Sequence, residues 1–275
     1  MGECDAGMRQ GSVAILGARG SVPVSGGDFQ RYGGATTCVL VRLAGQSVIL
    51  DAGTGLLNSL PLMGEEERRI PLLLSHPHAD HLLGLPMCPL LSGADVQMDV
   101  YAASRNGLDA EAQVRALMAP PLWPIGPERL ASPVTFHDLP EHLELGDVTV
   151  DTMEGVHPGG VSLLRLTGGG HRVVFATDCT LTDSLLPKLT DFARNCDLLL
   201  CDGQYSDAEW PARAGFGHST WTAVARLGRD CGARQVRVIH HDPSHTDALL
   251  DGAAEELRRI HPNCAFARAG EEVLL

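Results

Sequence analysis

Short apolar runs of strand length recur along this chain, and each is bounded by Gly, Asp or Pro. Runs that are rich in Val, Ile and Leu and stop at such residues are typical of buried β-strands. They predict strands over residues 13–16, 38–43, 48–50, 71–74, 96–101, 148–151, 162–166, 172–175, 197–201 and 235–239. Apolar positions with the helical period lie between some of these runs, and they predict helices over residues 108–118, 182–195, 220–229 and 246–260.

The order of these elements predicts an α/β fold. Strands alternate with helices at both ends of the chain, whereas residues 146–176 have the pattern of consecutive antiparallel strands. A chain of 275 residues with this order has room for two mixed β-sheets faced by helices. No repeat or clear domain boundary is visible, so we expect one domain over residues 1–275. The Pro-rich stretch 119–133 has two open roles, an ordered connection or a cover for a site.

Composition places the chain among ordinary globular proteins, with 44% hydrophobic and only 4% aromatic residues. No run approaches the roughly 20 apolar residues of a membrane-spanning helix. The first 11 residues lack a basic region followed by an apolar stretch, so we expect no export signal and a cytoplasmic location. The eight cysteines form no C-x-x-C pair, which favours reduced, mostly buried thiols over a thiolate zinc site.

The formal net charge of −13 limits the class of partner. Binding of extended nucleic acid requires a basic face that neutralises phosphates, so the charge argues against such a partner. It does not exclude a small anionic substrate that is held by a metal ion.

Three histidines and an aspartate follow one predicted buried strand, in the stretch L-L-L-S-H-P-H-A-D-H-L-L-G. His76 and His78 are two residues apart, so in an extended segment both side chains point the same way. Asp80 and His81 follow as the chain turns into a helix that we expect from residue 81 to 85. The loop can therefore serve two neighbouring metal positions, and imidazole with carboxylate suits zinc, manganese or iron.

The motif H-x-H-x-D-H resembles the first signature of the metallo-β-lactamase superfamily, and the resemblance extends over almost the whole chain. It implies an αββα sandwich with a two-metal site along one edge of the sheets. It also implies three further ligands after later strands, and His157, Asp178 and His240 stand at the matching places. His241 is the alternative to His240, which we prefer because family members place the ligand first after the strand.

The implied ligand set divides between two divalent ions, with zinc preferred and manganese or iron as alternatives. One ion takes His76, His78 and His157, the other takes Asp80, His81 and His240, and Asp178 bridges them. Asp51, in V-I-L-D-A-G-T-G, matches an aspartate that precedes the metal motif in this superfamily. We expect it to order the ligand loop from behind rather than to bind metal.

Two Gly-rich segments narrow the resemblance to the branch of tRNase Z and the related cyclic phosphodiesterases. They are A-I-L-G-A-R-G-S-V-P-V-S-G-G and R-Y-G-G-A-T-T-C-V-L-V. Glycines at 17, 20, 33 and 34 let backbone N–H groups approach an anion, with Arg19, Ser21, Thr36 and Thr37 as added donors. The alternative is that these glycines only make tight turns.

C-D-G-Q-Y and the later G-H-S-T-W resemble the acidic residue and the H-S-T motif of the tRNase Z group. The resemblance implies that Asp202 and His218 form an acid–histidine pair beside the metals. This chain has Cys-Asp where tRNase Z typically has His-Glu, so the pair either reaches less far or is rearranged. As an isolated residue, His218 would simply open a helix.

These features predict a metal-dependent phosphodiesterase that hydrolyses a small cyclic nucleotide or cyclic sugar phosphate with a hydroxide activated by two metals. Asp80 is expected to orient or deprotonate that nucleophile, and His218 to protonate the leaving alkoxide or to stabilise charge on the phosphoryl group. The alternatives are a tRNase Z-like 3′ endoribonuclease, a lactone or thioester hydrolase, and a sensor that binds a cyclic nucleotide without cleaving it. The resemblance also implies a homodimer.

Overall fold

A computed structural model describes residues 11–64, 67–93 and 95–275 of the chain. Residues 1–10, which include Cys4, lie outside the described residues. They make up most of the segment on which the expectation about an export signal rests. Within the described part of the chain, no helix has the length and apolar character needed to cross a membrane.

The described chain forms fourteen strands and five α-helices, joined by loops and short 3₁₀ turns. The strands are β1 Ser12–Gly17, β2 Cys38–Leu43, β3 Gln46–Leu50, β4 Arg69–Leu74, β5 Gln97–Ala102, β6 Val134–Asp138, β7 His142–Leu145, β8 Val148–Gly155, β9 Val161–Gly168, β10 His171–Ala176, β11 Leu198–Asp202, β12 Gln235–Ile239, β13 Cys264–Phe266 and β14 Glu271–Leu274. The helices are α1 Ala110–Leu117, α2 Leu186–Phe192, α3 Trp210–Arg213, α4 Trp221–Cys231 and α5 Asp247–Ile260.

The strands build two mixed sheets of seven strands each, in the orders β14-β1-β2-β3-β4-β5-β6 and β13-β12-β11-β10-β9-β8-β7. Strands β3 to β6 run parallel in the first sheet, and β10 to β13 run parallel in the second. Strands β7 to β10 are a chain of antiparallel neighbours. The antiparallel middle and the mixed sheets predicted from the sequence are confirmed.

Alternating side chains place each sheet between two apolar layers. In β11, Leu198 and Leu200 lie in the core between the sheets, whereas Leu199 and Cys201 lie in the core under α2, α4 and α5. In β4, Leu73 faces the space between the sheets and Leu72 faces the layer that contains α1. A strand buried on both faces is apolar throughout, which explains the continuous runs and confirms the αββα sandwich.

The four strands absent from the sequence prediction are β6, β7, β13 and β14, and they are the four sheet edges. Edge strands are short and partly exposed here, so they lack a long apolar run. The helix expected over residues 81–85 is wrong. Two 3₁₀ turns, Ala79–His81 and Leu85–Met87, stand there instead. In the Pro-rich stretch, Trp123 and Leu130 pack on the apolar layer of α1, which supports its role as a connection.

Sheet direction brings the ends of several strands together. Strands β3 and β4 run parallel, as do β10, β11 and β12, so within each set the carboxyl ends lie at one edge. Strand β8 runs in the same direction as β10, because both pair antiparallel with β9. Loops at such carboxyl ends commonly build functional sites.

Candidate metal centre

The first candidate group of ligands comes from the loop after β4 and from the end of β8. His76 and His78 follow β4, and His157 stands two residues past β8. Nδ1 of His78 lies 2.9 Å from Nε2 of His76 and 3.1 Å from Nε2 of His157. Nitrogen ligands of a tetrahedral zinc ion stand about 3.3 Å apart, given Zn–N bonds of about 2.0–2.1 Å. The three rings therefore have nearly the spacing of ligands that share one ion.

Hydrogen bonds behind these rings determine which nitrogen faces the group. Nδ1 of His157 donates to the carbonyl oxygen of Gly217 at 2.9 Å, so its Nε2 presents a lone pair. Nδ1 of His76 lies 3.0 Å from the Ser75 hydroxyl, which itself donates to a carboxylate, so Nε2 of His76 also presents a lone pair. Nδ1 of His78 can carry one hydrogen, so it can donate to only one of these two lone pairs. A cation between the rings satisfies both, so these residues fit a metal ion.

The second candidate group combines two carboxylates with two imidazoles. Nε2 of His240 lies 3.1 Å from Oδ2 of Asp80 and 3.1 Å from Oδ2 of Asp178. Nε2 of His81 lies 3.3 Å and 3.2 Å from oxygens of the same carboxylates, yet it is buried and forms no hydrogen bond. Asp178 also belongs to the first group. It is therefore placed to serve both groups.

The charges of the two groups suit cation binding. Burial by itself lowers the pKa of His240, but the carboxylates of Asp178, Asp80 and Asp202 outweigh it and raise this pKa to about 9. Burial is also the largest effect on His76, and it holds the pKa of that ring well below its usual range. The carboxylate-rich group thus attracts positive charge. Burial also lowers the pKa values of His78 and His157, which favours the neutral rings that bind a metal. A cation bound by the carboxylate-rich group would take the place of the proton on His240.

Three residues of the site have a left-handed backbone. Asp51 has a φ of 60°, Asp178 of 47° and His240 of 62°, and each lies within two residues of the end of a strand. This conformation costs a residue with a side chain about 1–2 kcal/mol. Such strain concentrates at functional sites, where the surrounding structure maintains it.

Asp51 supports the ligand loop from behind. Its Oδ2 accepts hydrogen bonds from Nδ1 of His81 at 2.7 Å and from the Ser75 hydroxyl at 2.8 Å. Its Oδ1 accepts the N–H of Ser75 at 2.7 Å. These bonds leave Nε2 of His81 to face the cluster. None of the candidate ligand groups in the described chain includes Asp51.

The structure brings His240, rather than His241, into the cluster. Nε2 of His241 donates to the carbonyl oxygen of Ala267 at 2.8 Å, and burial lowers the pKa of His241 to about 3. Gly20 packs directly against the His240 ring, because a Cβ at residue 20 would lie 2.3 Å from Nδ1. The absent side chain at Gly20 thus makes room for His240, a role that the sequence did not indicate.

Asp202 and His218 form the expected acid–histidine pair. Asp202 ends β11 and is fully buried, and its Oδ2 lies 2.8 Å from Nδ1 of His218. The backbone N–H groups of Gln204 and Cys179 also donate to this carboxylate, at 2.9 and 3.2 Å. The His218 ring stacks on the His240 ring with centroids 4.8 Å apart. An aspartate is therefore long enough to hold the histidine beside the candidate ligands.

The structure corrects the prediction that Arg19 binds an anionic substrate. Arg19 is fully buried, and its guanidinium donates to backbone carbonyl oxygens of Gly33, Asp242 and His245 at 2.9–3.2 Å. Its N–H groups are thus engaged with the protein itself. Arg19 ties the first Gly-rich loop to the loop that follows β12.

Thr36 and Thr37, the other predicted donors to the anion, are also buried, and their hydroxyls lie against partners within the protein. The Thr36 hydroxyl lies 3.3 Å from the hydroxyl of Thr54, and the Thr37 hydroxyl donates to the backbone carbonyl oxygen of residue 19. Ser21 differs, because its residue is exposed and its N–H donates to Oδ2 of Asp80 at 2.8 Å. The Gly-rich loop therefore does bind an anion, but this anion is a carboxylate of the protein.

Replacing Arg19 by methionine is expected to lower the free energy of unfolding by about 3 kcal/mol, because buried carbonyl groups lose their donor. Urea unfolding followed by circular dichroism measures this change. Arg129→Met is the matched control, since Arg129 is exposed and surface substitutions usually change stability by less than about 0.5 kcal/mol. An Arg19→Met protein of unchanged stability that binds substrate weakly would restore the substrate-binding role.

Sequence reasoning missed three supporting residues: Ser75, Gln204 and Gly217. Gly217 has a φ of 94°, and a Cβ there would lie 2.4 Å from Nδ1 of His157. Gln204 is buried, and its Nε2 lies 3.2 Å from Oγ of Ser21. Each of the three lies within two residues of a predicted site residue, which was the available signal.

Comparison with known proteins identifies similar chains. The sequence model of the family described as "Beta-lactamase superfamily domain" matches residues 46–241. Ribonuclease Z of Treponema pallidum (strain Nichols) is 25% identical, and the match covers 92% of this chain and 94% of that protein. The matched range of the family includes both candidate ligand groups.

Two solved structures share the fold. The metallo-beta-lactamase fold protein YhfI from Bacillus subtilis superposes with a TM-score of 0.70 and 20% identity, covering 96% of this chain and 99% of that one. A diphosphatase from the PhnP family superposes with a TM-score of 0.69 and 17% identity, covering 96% and 97%.

Proposed function

The chain belongs to the β-lactamase superfamily, and on this basis we propose that it is a metal-dependent phosphodiesterase. The proposed substrate is a small phosphodiester such as a cyclic nucleotide or a cyclic sugar phosphate. The observation that carries the proposal is the His218–Asp202 pair, which stacks beside His240 at the candidate metal ligands. This pair is suited to protonating a leaving group.

We propose two divalent ions, with zinc preferred and manganese or iron also compatible with the donors. The proposed ligands are His76, His78 and His157 for one ion, Asp80, His81 and His240 for the other, and Asp178 for both. Bound there, the ions would supply a nucleophile from water at neutral pH and neutralise charge on the phosphodiester.

The side chains of the protein carry the proton transfers. The Asp80 carboxylate is held by the N–H of Ser21, and it orients the attacking water. The oxygen of that water bonds to phosphorus as the bond from phosphorus to the leaving oxygen breaks. His218 gives the proton on Nε2 to the leaving oxygen, while Asp202 holds Nδ1 and stabilises the charged ring. The attacking water releases one proton to solvent and His218 takes one back from solvent, so each turnover consumes one water and forms one phosphomonoester and one alcohol group.

A positioned acid favours a phosphodiester with an alkoxide leaving group over a thioester. A sugar alkoxide is a poor leaving group, so its protonation contributes about 10²–10⁴-fold to the rate. A thiolate leaves readily without a proton. The buried carboxylate behind His218 therefore has its largest effect on an alkoxide leaving group.

The test is turnover of bis(p-nitrophenyl) phosphate and a panel of cyclic nucleotides by protein loaded with Zn²⁺ or Mn²⁺. We expect hydrolysis of the diester and at least one cyclic nucleotide, loss of both activities after dialysis against a chelator, and recovery when metal is added. A metal-loaded protein that hydrolyses only lactones or thioesters would contradict the proposal. Binding of a cyclic nucleotide without turnover would support the sensor alternative instead.

A 3′ endoribonuclease is the second candidate, and the relatives named ribonuclease Z favour it. The formal charge of −13 disfavours it, because a long RNA requires a basic face. Cleavage of a precursor tRNA, measured beside the cyclic nucleotides, separates the two candidates. The cytoplasmic location and the homodimer stay predictions.

A further inference from the structure

The segment between Asp202 and His218 places an exposed aromatic ring near the candidate ligands. Residues 203–217 leave the end of β11, form the short helix α3 and return to His218. Phe216 is 54% exposed, and it is the one aromatic side chain among the large exposed apolar residues of the described chain. Phe216 takes no part in the proposed proton transfers.

The backbone next to Phe216 is hydrogen-bonded to a residue of the first ligand group. The next residue, Gly217, accepts the hydrogen bond from Nδ1 of His157 at 2.9 Å. His78 is exposed beside His157, so this end of the cluster is open to solvent. A substrate that reaches the metals from this side therefore passes close to Phe216.

The guanidinium of Arg213 packs against the ring of Phe216. The guanidinium of Arg213 lies over the Phe216 ring at 5.6 Å from its centroid and over the Tyr205 ring at 5.7 Å. Tyr205 is buried and packs edge-on against His218, with centroids 5.9 Å apart. Contacts between a guanidinium and aromatic rings are attractive. They connect the exposed ring of Phe216 to the acid–histidine pair.

We propose that Phe216 stacks on the base of a nucleotide substrate while its phosphodiester occupies the candidate metal centre. Arg213 covers one face of the ring, and the exposed half of the residue is available to the base. Stacking of a base on an aromatic side chain contributes to binding with any base, because every base has a π-face. The inference rests on the proposed phosphodiesterase activity, and it selects cyclic nucleotides over cyclic sugar phosphates that lack a base.

The experiment compares two substrates that differ only in the base. They are adenosine 2′,3′-cyclic phosphate and methyl riboside 2,3-cyclic phosphate, in which a methoxy group replaces adenine. Phe216→Ala is expected to raise KM for the nucleotide about 10-fold, which lies within the range measured for base stacking, and to leave kcat nearly unchanged. KM for the base-free substrate is expected to stay the same. Phe216→Tyr keeps the ring and is the matched control, with both KM values close to wild type.

Binding of the product provides a readout that does not depend on turnover. Titration calorimetry with 3′-AMP and metal-loaded protein is expected to show a Kd about 10-fold weaker in Phe216→Ala, in the range expected for loss of one stacked base. Wild-type protein that hydrolyses neither cyclic substrate nor any other phosphodiester would contradict the proposed function itself. Wild-type protein that prefers the base-free substrate, or a Phe216→Ala protein whose two KM values change equally or not at all, would overturn only the role of Phe216.

Discussion

An Asp178→Asn variant is expected to lose at least one of two bound metal ions and about 10³-fold in kcat/KM on bis(p-nitrophenyl) phosphate. Oxygens of Asp178 lie 3.1 Å from Nε2 of His240 and 3.7 Å from Nε2 of His76, so one carboxylate is shared by both ligand groups. An amide has no charge and only one acceptor oxygen. The charge stabilisation supplied by a catalytic metal is worth several kcal/mol, and each 1.4 kcal/mol is about tenfold in rate.

Asparagine suits this test because it tolerates the left-handed backbone of residue 178 better than most residues. Metal content is measured by mass spectrometry after dialysis, and the fold is checked by circular dichroism. Asp99→Asn is the matched control. Asp99 is also a buried carboxylate, but it lies on β5 and bonds to Arg69 of β4 and to His137 of β6. The control should keep two metals. An Asp178→Asn protein with two metals and full activity would contradict the shared carboxylate.

Replacing His218 by alanine is expected to lower kcat for a cyclic nucleotide by about 10²–10⁴-fold, the usual contribution of a general acid. Turnover of bis(p-nitrophenyl) phosphate should fall much less, because p-nitrophenolate leaves without being protonated. Metal content should not change, since His218 pairs with Asp202 and is outside the proposed ligand set. Asp202, His218 and His240 are also close enough together to hold an ion, so loss of a metal from His218→Ala would assign His218 as a ligand instead. The fall in kcat for the cyclic nucleotide, divided by the fall for bis(p-nitrophenyl) phosphate, therefore measures how much His218 contributes by protonating the leaving group.

His245→Ala is the matched control for this variant. His245 is also a buried histidine bonded to an acid, with Nε2 2.9 Å from Oε1 of Glu209, but it belongs to neither ligand group. We expect the control to retain both activities. If His218→Ala lowers both activities by the same factor, His218 acts on something other than the leaving oxygen.

The interior of the fold is predictable from the sequence, and its edges are not. All ten predicted strands are present. Parallel strands between two neighbours, such as β4 and β11, are buried on both faces and therefore have continuous apolar runs. Edge strands have one neighbour and partly exposed side chains, as in β6, Val134–Asp138, and β14, Glu271–Leu274. Their sequences are too short and too polar to be separated from loops by local pattern.

The candidate ligands are predictable because each follows a strand whose apolar run is visible. His76 follows β4, Asp178 follows β10 and His240 follows β12, and the resemblance to a known family supplied their order. That these carboxyl ends meet at one place is a consequence of parallel pairing within each sheet and of packing between the sheets. No local pattern contains the distances between them.

The sequence by itself determined the layered fold and the chemical types of the ligands. Short stretches of sequence are enough to show both the apolar runs of buried strands and the histidines and aspartates that follow them. Only the tertiary structure decided which polar groups face the site. Arg19 has the residue type of a phosphate binder, yet its partners are carbonyl groups on loops distant in sequence. Donors and acceptors pair with whatever the fold brings within about 3 Å, and residue type alone does not determine that partner.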